Sequence, residues 1–355
     1  MLTSFILKNF RCFQEFSISP LKRINLIAGM NNVGKTALLE GMFLFAGAAN
    51  PNLAFNVNIF RGLETLAFNI DLQSKTPWNT LFLDFDEENE IIFKGISDNL
   101  KEQTLKIRIR KKAIPPISQT KNGFASTDMT GFIRGLEYEY INEKNEHIKS
   151  EINITDKGVV LAPSIVTQNP YSAIFLASRS RPNLNEEAER FSNVVRNQQQ
   201  DVLFKALKII EPRLKQLTLL TTAGIPIIYG ELETKQLFPL VIMGEGLVKI
   251  CSIVLAIANT QNGIIFIDEI ENGIHYSVMN KLWGSIYEAA KQFNVQIFAT
   301  THSRECIISA HNTFNQLQID DFLFYRLDKI DNKIEAKKYT KEILDAAIDS
   351  EFEVR

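Results

Sequence analysis

The sequence predicts an α/β fold built on a mixed β-sheet, with a β-rich lobe and a helical lobe added to it. An apolar run, residues 24–28, leads directly into a glycine-containing turn and then into an apolar helical stretch. From residue 246 to residue 325, helical segments alternate with short apolar strands, an order typical of sheets with right-handed crossovers. Residues 70–182 are dominated by alternating polar and apolar positions, which predict strands joined by polar turns.

The composition is that of an ordinary globular protein. The chain has 355 residues, of which 45% are hydrophobic and 23% are charged, and its formal net charge is −2. This length corresponds to one large or two modest domains, and this balance excludes a globally disordered chain. A nearly neutral protein does not coat nucleic acid through its overall charge, so contact with DNA would require a local basic patch.

Three further features lead us to expect a cytoplasmic protein. The cysteines Cys12, Cys251 and Cys306 are odd in number and follow no paired motif, as in proteins of a reducing compartment. The first residues lack the basic and then apolar order of a signal peptide. The longest apolar stretch, Ile250–Ala258, is about half as long as a bilayer-spanning helix, so we expect no membrane contact.

The order of segments predicts three regions. Strands are expected at residues 5–8, 16–19, 24–28, 81–85, 105–110, 136–140 and 152–154, and residues 113–130 are typical of a long polar loop. A helical pattern over residues 184–210 is expected to end at Pro212. We therefore predict a core of residues 1–70 and 216–355, a β-rich insertion of residues 71–182 and a helical lobe of residues 183–215.

The segment Gly29–Thr36 gives the strongest chemical signal. It matches G-x-x-x-x-G-K-T between a strand and a helix, the setting of a phosphate-binding loop, in which Lys35 supplies a positive charge and Thr36 offers a hydroxyl to Mg²⁺. The alternative is a simple glycine turn before a helix, although chance gives such a string in only about 1% of chains of this length. The other expected nucleotide contacts in the loop are Asn31, Asn32, Val33 and Gly34.

A second candidate site follows the apolar run that begins at Ile264. This run ends in Asp268 and Glu269, and it places both carboxylates at the C-terminal end of a buried strand, where open α/β sheets bind ligands. Asp268 is expected to hold Mg²⁺, and Glu269 to polarise a water for attack on the γ-phosphate. An acidic cap without chemistry is the alternative.

Taken together, these motifs resemble the ABC-type ATPase superfamily. The resemblance rests on Lys8–Phe13, Gly29–Thr36, Asp268-Glu269 and Thr300–Ser303, in that order. Within the superfamily it is to the branch containing RecF, the structural-maintenance-of-chromosomes ATPases and the overcoming-lysogenization-defect nucleases. Met243–Lys249 resembles the divergent signature motif of the last group, and Glu271–His275 resembles its D-loop.

The resemblance implies a head-to-tail homodimer that encloses two ATP molecules. The phosphate loop of one copy and the signature of the other, here Gly244, Glu245 and Gly246, would close over each nucleotide, with Mg²⁺ as cofactor. It also implies that His302 contacts the γ-phosphate and helps to orient water, and that Arg11 lies against the nucleotide. The alternative is that these two residues are ordinary polar side chains at the protein surface.

The sequence also departs from the pattern of the resembled branch. Met243 stands where a serine is expected before the signature glycine, so slow hydrolysis would be a natural consequence. The neighbouring residues do not identify any glutamine as that of the Q-loop, and Gln73 is the first candidate. Since no long heptad insert and no recognisable Toprim domain are present, we expect a stand-alone ATPase that works with a separate effector protein, by analogy a nuclease in anti-phage defence or DNA metabolism.

DNA is a further candidate partner. Lys106, Arg108 and Arg110 would project from one face of a strand, which suits phosphate contacts, although an edge strand protected by charges is the simpler explanation. Arg179 and Arg181 form a second candidate for DNA or for nucleotide in trans.

Three functions therefore remain open at this point. The first is an ATP-dimerised ATPase that gates a partner, and the second is a nucleotide-locked scaffold with negligible turnover, which Met243 would favour. The third is a monomeric P-loop phosphotransferase, which would share the phosphate loop but would need no signature.

Overall fold

The computed structural model describes residues 1–63, 78–113, 132–155, 158–161, 169–178, 183–233, 236–331 and 333–350. In these ranges two large sheets enclose a helix, and further helices cover the outer face of one sheet. This layering gives the α/β architecture predicted from the sequence.

Sixteen strands occur in the described residues. They are β1 (Leu2–Phe10), β2 (Phe13–Ile18), β3 (Ile24–Gly29), β4 (Ile91–Ser97), β5 (Glu102–Ala113), β6 (Phe132–Ile141), β7 (His147–Thr155), β8 (Gly158–Leu161), β9 (Ala173–Leu176), β10 (Leu214–Thr222), β11 (Ile225–Leu232), β12 (Leu237–Pro239), β13 (Ile264–Ile267), β14 (Gln296–Thr300), β15 (Phe322–Ile330) and β16 (Lys333–Tyr339).

Eight α-helices connect them within the same ranges. They are α1 (Lys35–Ala46), α2 (Leu53–Ile59), α3 (Leu184–Arg196), α4 (Gln200–Leu207), α5 (Glu245–Asn259), α6 (Met279–Gln292), α7 (Arg304–Gln316) and α8 (Lys341–Asp349).

The core of the fold is a six-stranded sheet of order β16-β15-β3-β14-β13-β9. Five of its strands, β15, β3, β14, β13 and β9, run parallel, and β16 adds an antiparallel edge. All residues of β3, β13 and β14 are buried, as expected for parallel strands covered on both faces. The carboxyl ends of β3, β13, β14 and β9 therefore meet at one edge, and this edge carries the candidate site.

Helix α1 lies between the two large sheets. Its apolar residues join one hydrophobic cluster with β1, β4 and one face of the core sheet, and eleven of its twelve residues are buried. A second cluster covers the other face of the core sheet with α5, α6 and α7. Burial on all sides fixes the start of α1, and thus the phosphate loop, relative to both sheets.

The second large sheet has seven antiparallel strands in the order β2-β1-β4-β5-β6-β7-β8. It combines the first hairpin of the chain with the predicted β-rich segment, while β9 pairs with β13 in the core sheet. The predicted strand at residues 81–85 is wrong, because two short 3₁₀ turns, Asn79–Leu81 and Leu83–Phe85, occupy it and Asp84 and Phe85 take left-handed backbone angles. The domain limits themselves stay a prediction.

The three basic residues Lys106, Arg108 and Arg110, here called the basic strip, lie on β5. This strand is interior rather than at an edge of the sheet, so the edge-strand explanation is wrong. Arg108 contacts Glu137 of β6 at 2.6 Å, Arg110 contacts Glu151 of β7 at 3.2 Å, and Lys106 lies opposite Glu139 in the strand register. The cations of the strip thus face acidic side chains of neighbouring strands, which accounts for them without nucleic acid.

The helical part consists of α3 and α4, which pack on α5, and a three-stranded sheet of order β10-β11-β12. The predicted helical pattern over residues 184–210 is two helices, separated at Gln198, whose φ of 56° ends the first one. In the described part of the chain, helices long and apolar enough to cross a membrane are absent.

Candidate nucleotide site

The phosphate loop forms the turn between β3 and α1. Gly34 precedes the helix with φ of 100°, a conformation that L-residues rarely adopt, and a Cβ there would lie 2.8 Å from Cys12 Sγ. Only glycine fits this position, because both the backbone angle and the neighbouring hairpin exclude a side chain. Of the other predicted contacts in the loop, Asn31 and Asn32 are exposed and Val33 is buried.

Lys35 is folded back onto its own loop. Its Nζ donates hydrogen bonds to the carbonyl oxygens of Gly29 at 2.6 Å and Met30 at 2.9 Å. Burial lowers the pKa of Lys35 to about 8, against the opposing effect of the nearby Asp268 and Glu269 carboxylates. The ammonium therefore lacks a strong anionic partner in the loop, and phosphate oxygens would supply one.

Asp268 lies at the end of β13, 4% exposed, and three hydroxyls converge on its carboxylate. Thr36 Oγ1 donates to Oδ1 at 3.0 Å and to Oδ2 at 3.2 Å. Thr300 Oγ1 donates to Oδ1 at 2.7 Å, and Ser178 Oγ donates to Oδ2 at 3.0 Å. The predicted pair of metal ligands, Thr36 and Asp268, is therefore brought together.

Glu269 follows Asp268 in a strained backbone conformation with φ of 49°. Its N–H donates to Thr300 Oγ1 at 2.9 Å, and this contact holds the turn. One carboxylate oxygen accepts from Asn272 Nδ2 at 2.6 Å, and the other lies 3.4 Å from His302 Nε2. Both predicted catalytic side chains are thus adjacent and about one third exposed, which leaves room for a water between them and a substrate.

His302 is positioned by the D-loop and by the next helix. Its backbone N–H donates to Glu271 Oε1 at 2.7 Å, and Ser303 caps α7 by accepting from Cys306 N at 3.1 Å. These contacts hold the backbone of the segment after β14, from which the imidazole of His302 reaches Glu269.

The two glycines of the signature segment differ in their surroundings, and their contacts with nucleotide stay a prediction. Gly244 is exposed with φ of 127°, and among the described residues no heavy atom lies within 4 Å of a Cβ built on it. Gly246 instead packs against its own chain, because its Cβ would lie 2.7 Å from the carbonyl oxygen of Gly273. Gly244 is open to an approaching phosphate, whereas Gly246 permits contact between α5 and the D-loop. Glu245 is exposed between them.

Arg11 is committed to its own chain. Its guanidinium lies 3.1 Å from the fully buried Glu40 of α1 and donates to Thr80 O at 3.2 Å and Asn58 Oδ1 at 3.1 Å. Burial lowers the pKa of Arg11 to about 10, although Glu40 opposes this effect. Arg61 binds the same carboxylate at 2.6 Å and 2.9 Å. Arg11 therefore ties the first hairpin to α1, and its contact with nucleotide stays a prediction.

Sequence reasoning missed the roles of Ser178, Thr300, Glu40 and Arg61. Ser178 and Thr300 lie just after or at the end of a core strand, a position that already marked Asp268, while Glu40 is the only acid in the apolar helix α1. Gln73, Arg179 and Arg181, together with most of the predicted loop at 113–130, lie outside the described residues.

The donor set at this edge fits a Mg²⁺–nucleotide complex. Mg²⁺ commonly takes one or two protein oxygens together with waters and substrate phosphates, and Thr36 and Asp268 supply such a pair. Clusters of three or more His, Cys, Asp or Glu side chains that could hold a metal by themselves are absent from the described ranges. With Thr36 and Asp268 as its two protein oxygens, the site suits a metal that arrives with the nucleotide.

A phosphate loop, an acidic strand end and a glycine-bearing helix start on one mixed sheet define a P-loop ATPase head. A family model described as "AAA domain, putative AbiEii toxin, Type IV TA system" matches residues 24–307, which include all of these motifs. The chain belongs to this family of AAA-domain ATPases.

Two relatives are similar in sequence. An ATP/GTP phosphatase of Helicobacter pylori is 25% identical over 345 residues, which cover 86% of this chain and 86% of that protein. An uncharacterized protein of Methanocaldococcus jannaschii is 31% identical over 106 residues, 30% of this chain and 47% of that protein. The first likeness extends over nearly the whole chain.

A solved structure gives the fold independently. The Smc head bound to the C-winged helix domain of ScpA matches with a TM-score of 0.50 and 11% identity, covering 98% of this chain and 99% of that one. At this identity the likeness concerns the fold alone, and it confirms the mixed α/β fold of the head type that the sequence predicts.

Proposed function

We propose that this protein binds and hydrolyses ATP with Mg²⁺ as a head-to-tail dimer of the overcoming-lysogenization-defect type and thereby gates a separate effector protein. The single observation that carries the proposal is the contrast between two glycine-bearing segments of the site. The phosphate loop is complete and adjoins Asp268 and Glu269. Gly244 has a left-handed backbone conformation, and the described residues leave the space beside it open to a partner.

The surface around the motifs supports pairing of two copies. A large apolar side chain is exposed beside each motif: Met30 in the phosphate loop at 78%, Ile242 before the signature at 69%, and Tyr276 after the D-loop at 67%. Contiguous apolar patches rimmed by polar residues are typical of interaction surfaces, and in the proposed dimer these three side chains lie at the contact between the copies.

In the proposed reaction the protein contributes charge and orientation. Lys35 leaves its loop carbonyls for the phosphates. Thr36 and Asp268 would hold Mg²⁺, which would supply neutralisation of the charge on the phosphoryl group. Glu269 accepts a proton from the attacking water, and His302 beside it orients that water and contacts the γ-phosphate. The open backbone at Gly244 of the second copy supplies N–H groups at the start of α5.

The effector we favour is a nuclease encoded separately, acting in anti-phage defence or DNA metabolism. The description of the family as a toxin of a toxin–antitoxin system supports a setting in which one protein controls another. The proposal rests on analogy for the identity of the effector. Co-purification of the chain with the products of neighbouring genes, with and without ATP, tests it directly.

The dimer is tested by measuring ATP hydrolysis across protein concentrations while light scattering reports the mass. We expect specific activity to rise with concentration in parallel with the dimer fraction, and we expect Glu269→Gln to trap the dimer with ATP. Specific activity that stays constant while the protein remains monomeric would overturn the proposal.

A nucleotide-locked scaffold is the second candidate, and Met243 favours it. In the structure the Met243 sulfur lies 3.0 Å from a Cβ built on Gly230, so this side chain packs on β11. Met243 thus replaces a hydroxyl by an apolar contact. Phosphate release that stays negligible with every partner tested, together with stable ATP-bound dimers, would favour the scaffold. A monomeric phosphotransferase requires turnover that is insensitive to Gly244.

A further inference from the structure

The carboxylate of Asp268 is held from both sides of its strand. β13 lies between β14 and β9, and both neighbours run parallel to it. Thr300 at the end of β14 donates to Oδ1 at 2.7 Å, and Ser178, two residues beyond β9, donates to Oδ2 at 3.0 Å. The backbone of β9 adds a further tie, because Asp268 N–H donates to Leu176 O at 2.9 Å.

We propose that Ser178 is a positioning residue of the magnesium site: it holds the second oxygen of Asp268 and so keeps the carboxylate in the orientation in which it and Thr36 can bind the metal. This inference rests on the proposed role of Asp268 and Thr36 as ligands of a Mg²⁺–nucleotide complex. It assigns a task to a residue that no sequence motif identifies.

Each carboxylate oxygen of Asp268 accepts two hydrogen bonds from hydroxyl groups. Oδ1 accepts from Thr300 and Thr36, and Oδ2 accepts from Ser178 and Thr36. When Thr36 serves the metal, Thr300 still holds Oδ1 and Ser178 still holds Oδ2. If the Ser178 hydroxyl is removed, Thr36 is the only donor to Oδ2 among the described residues, so the carboxylate is held less firmly and is freer to turn away from the metal.

Burial makes the loss of this hydrogen bond costly. Asp268 is 4% exposed, and a buried carboxylate oxygen that loses a donor is not readily compensated by bulk water. Hydrogen bonds to metal-ligating groups typically change metal affinity or activity by about 10–100-fold when they are removed. We therefore expect a lower affinity for Mg²⁺ and no change in how the phosphate loop binds the phosphates.

The experiment measures binding of a fluorescent ATP analogue as a function of Mg²⁺ concentration, at protein concentrations low enough to keep the chain monomeric. In Ser178→Ala we expect the Mg²⁺ concentration for half-maximal enhancement to rise about tenfold. Binding in EDTA and the thermal unfolding midpoint should stay as in the wild type. Ser178→Thr should restore the Mg²⁺ requirement, because it restores the hydroxyl.

Ser192→Ala is the matched control. Ser192 Oγ donates to Ala188 O within α3, so this change removes a hydroxyl that has no contact with Asp268. An unchanged Mg²⁺ requirement in Ser178→Ala, or an equal loss of binding in EDTA, would overturn the inference. Because the measurement needs neither turnover nor pairing, a chain that never dimerises would overturn the proposed function and leave this inference standing.

Discussion

The carboxyl edge of the core sheet and the start of α5 contain comparable motifs but differ in how their polar groups are satisfied. At the sheet edge, Lys35, Thr36 and Asp268 are hydrogen-bonded within the chain, and two of these three side chains are buried. At the start of α5, Gly244 and Glu245 are exposed. One half of the nucleotide site is thus assembled in a single chain, and the other half faces outward.

This difference separates two tasks that the motifs alone do not distinguish. Under the proposed function, the assembled half can bind nucleotide by itself, since its cation, hydroxyl and carboxylate already lie together. The open half can act only when something is brought to it. We therefore expect changes at the sheet edge to alter binding or chemistry in any state, and changes at Gly244 to act only on turnover by the pair.

The largest expected effect belongs to the assembled half. Glu269→Gln should lower kcat by about 10²–10⁴-fold, because the amide cannot accept the proton from water. Nucleotide binding should persist, since Lys35 and Thr36 are unchanged. Steady-state phosphate release together with equilibrium binding measures both quantities, and Glu288→Gln on the exposed face of α6 is the control. Full turnover in Glu269→Gln would exclude this carboxylate as the base.

Gly244→Asp tests the open half. A side chain there would block the approach of a phosphate and add a negative charge, so kcat should fall by about 10²–10³-fold while ATP binding is kept. Gly224→Asp is a matched control, because Gly224 also has a positive φ, 80°, and its described surroundings are likewise open. If turnover were equal in both variants, the signature segment would have no part in the reaction.

The pH dependence of nucleotide binding tests the role of Lys35 in the assembled half of the site. Burial lowers the pKa of Lys35 to about 8 in the nucleotide-free chain, so the ammonium loses its proton as the pH rises above that value. Bound phosphates favour the protonated form and raise the pKa. Affinity should therefore be constant below pH 8 and fall by up to about tenfold per pH unit above it.

Equilibrium titrations on either side of this pH measure the effect, and Lys35→Met is the control. The neutral side chain should bind weakly at all pH values and show no dependence in this range. A pH-independent affinity in the wild type would mean that Lys35 stays charged in the free loop.

The smallest expected effect distinguishes the two signature glycines. Gly246→Ala places a Cβ 2.7 Å from Gly273 O, so we expect a loss of about 1–3 kcal/mol in the free energy of unfolding. Gly284→Ala in α6 is the matched change, because its described surroundings are open, and it should stabilise by about 0.5–1 kcal/mol. Urea unfolding measures both. Equal stability of the two variants would contradict the packing role of Gly246.

The sequence predicts the fold well where local pattern and burial agree. The apolar run before Gly29 and the run before Asp268 both become buried parallel strands, because such runs suit interior positions of a covered sheet. Residues 81–85 were misassigned to a strand because alternation of apolar residues also occurs in irregular turns, here Asn79–Leu81 and Leu83–Phe85.

The sequence predicts the site residues whose spacing is fixed by a motif. It does not predict those that are brought together by strands far apart in the sequence. Ser178 and Thr300 are 122 positions apart, and only the pairing of β9, β13 and β14 brings their hydroxyls to one carboxylate. The structural contacts of Arg11 were also not foreseen. Its guanidinium lies against Glu40, which is far from it in sequence, while the nucleotide contact implied by the resembled motif stays a prediction.

The pairing of β9 with β13 also constrains how the chain can vary in length. Because side chains alternate across a strand, one residue inserted within Ala173–Leu176 would turn the following residues to the opposite face. The Ser178 hydroxyl would then point away from Asp268 even though every residue of the phosphate loop was intact.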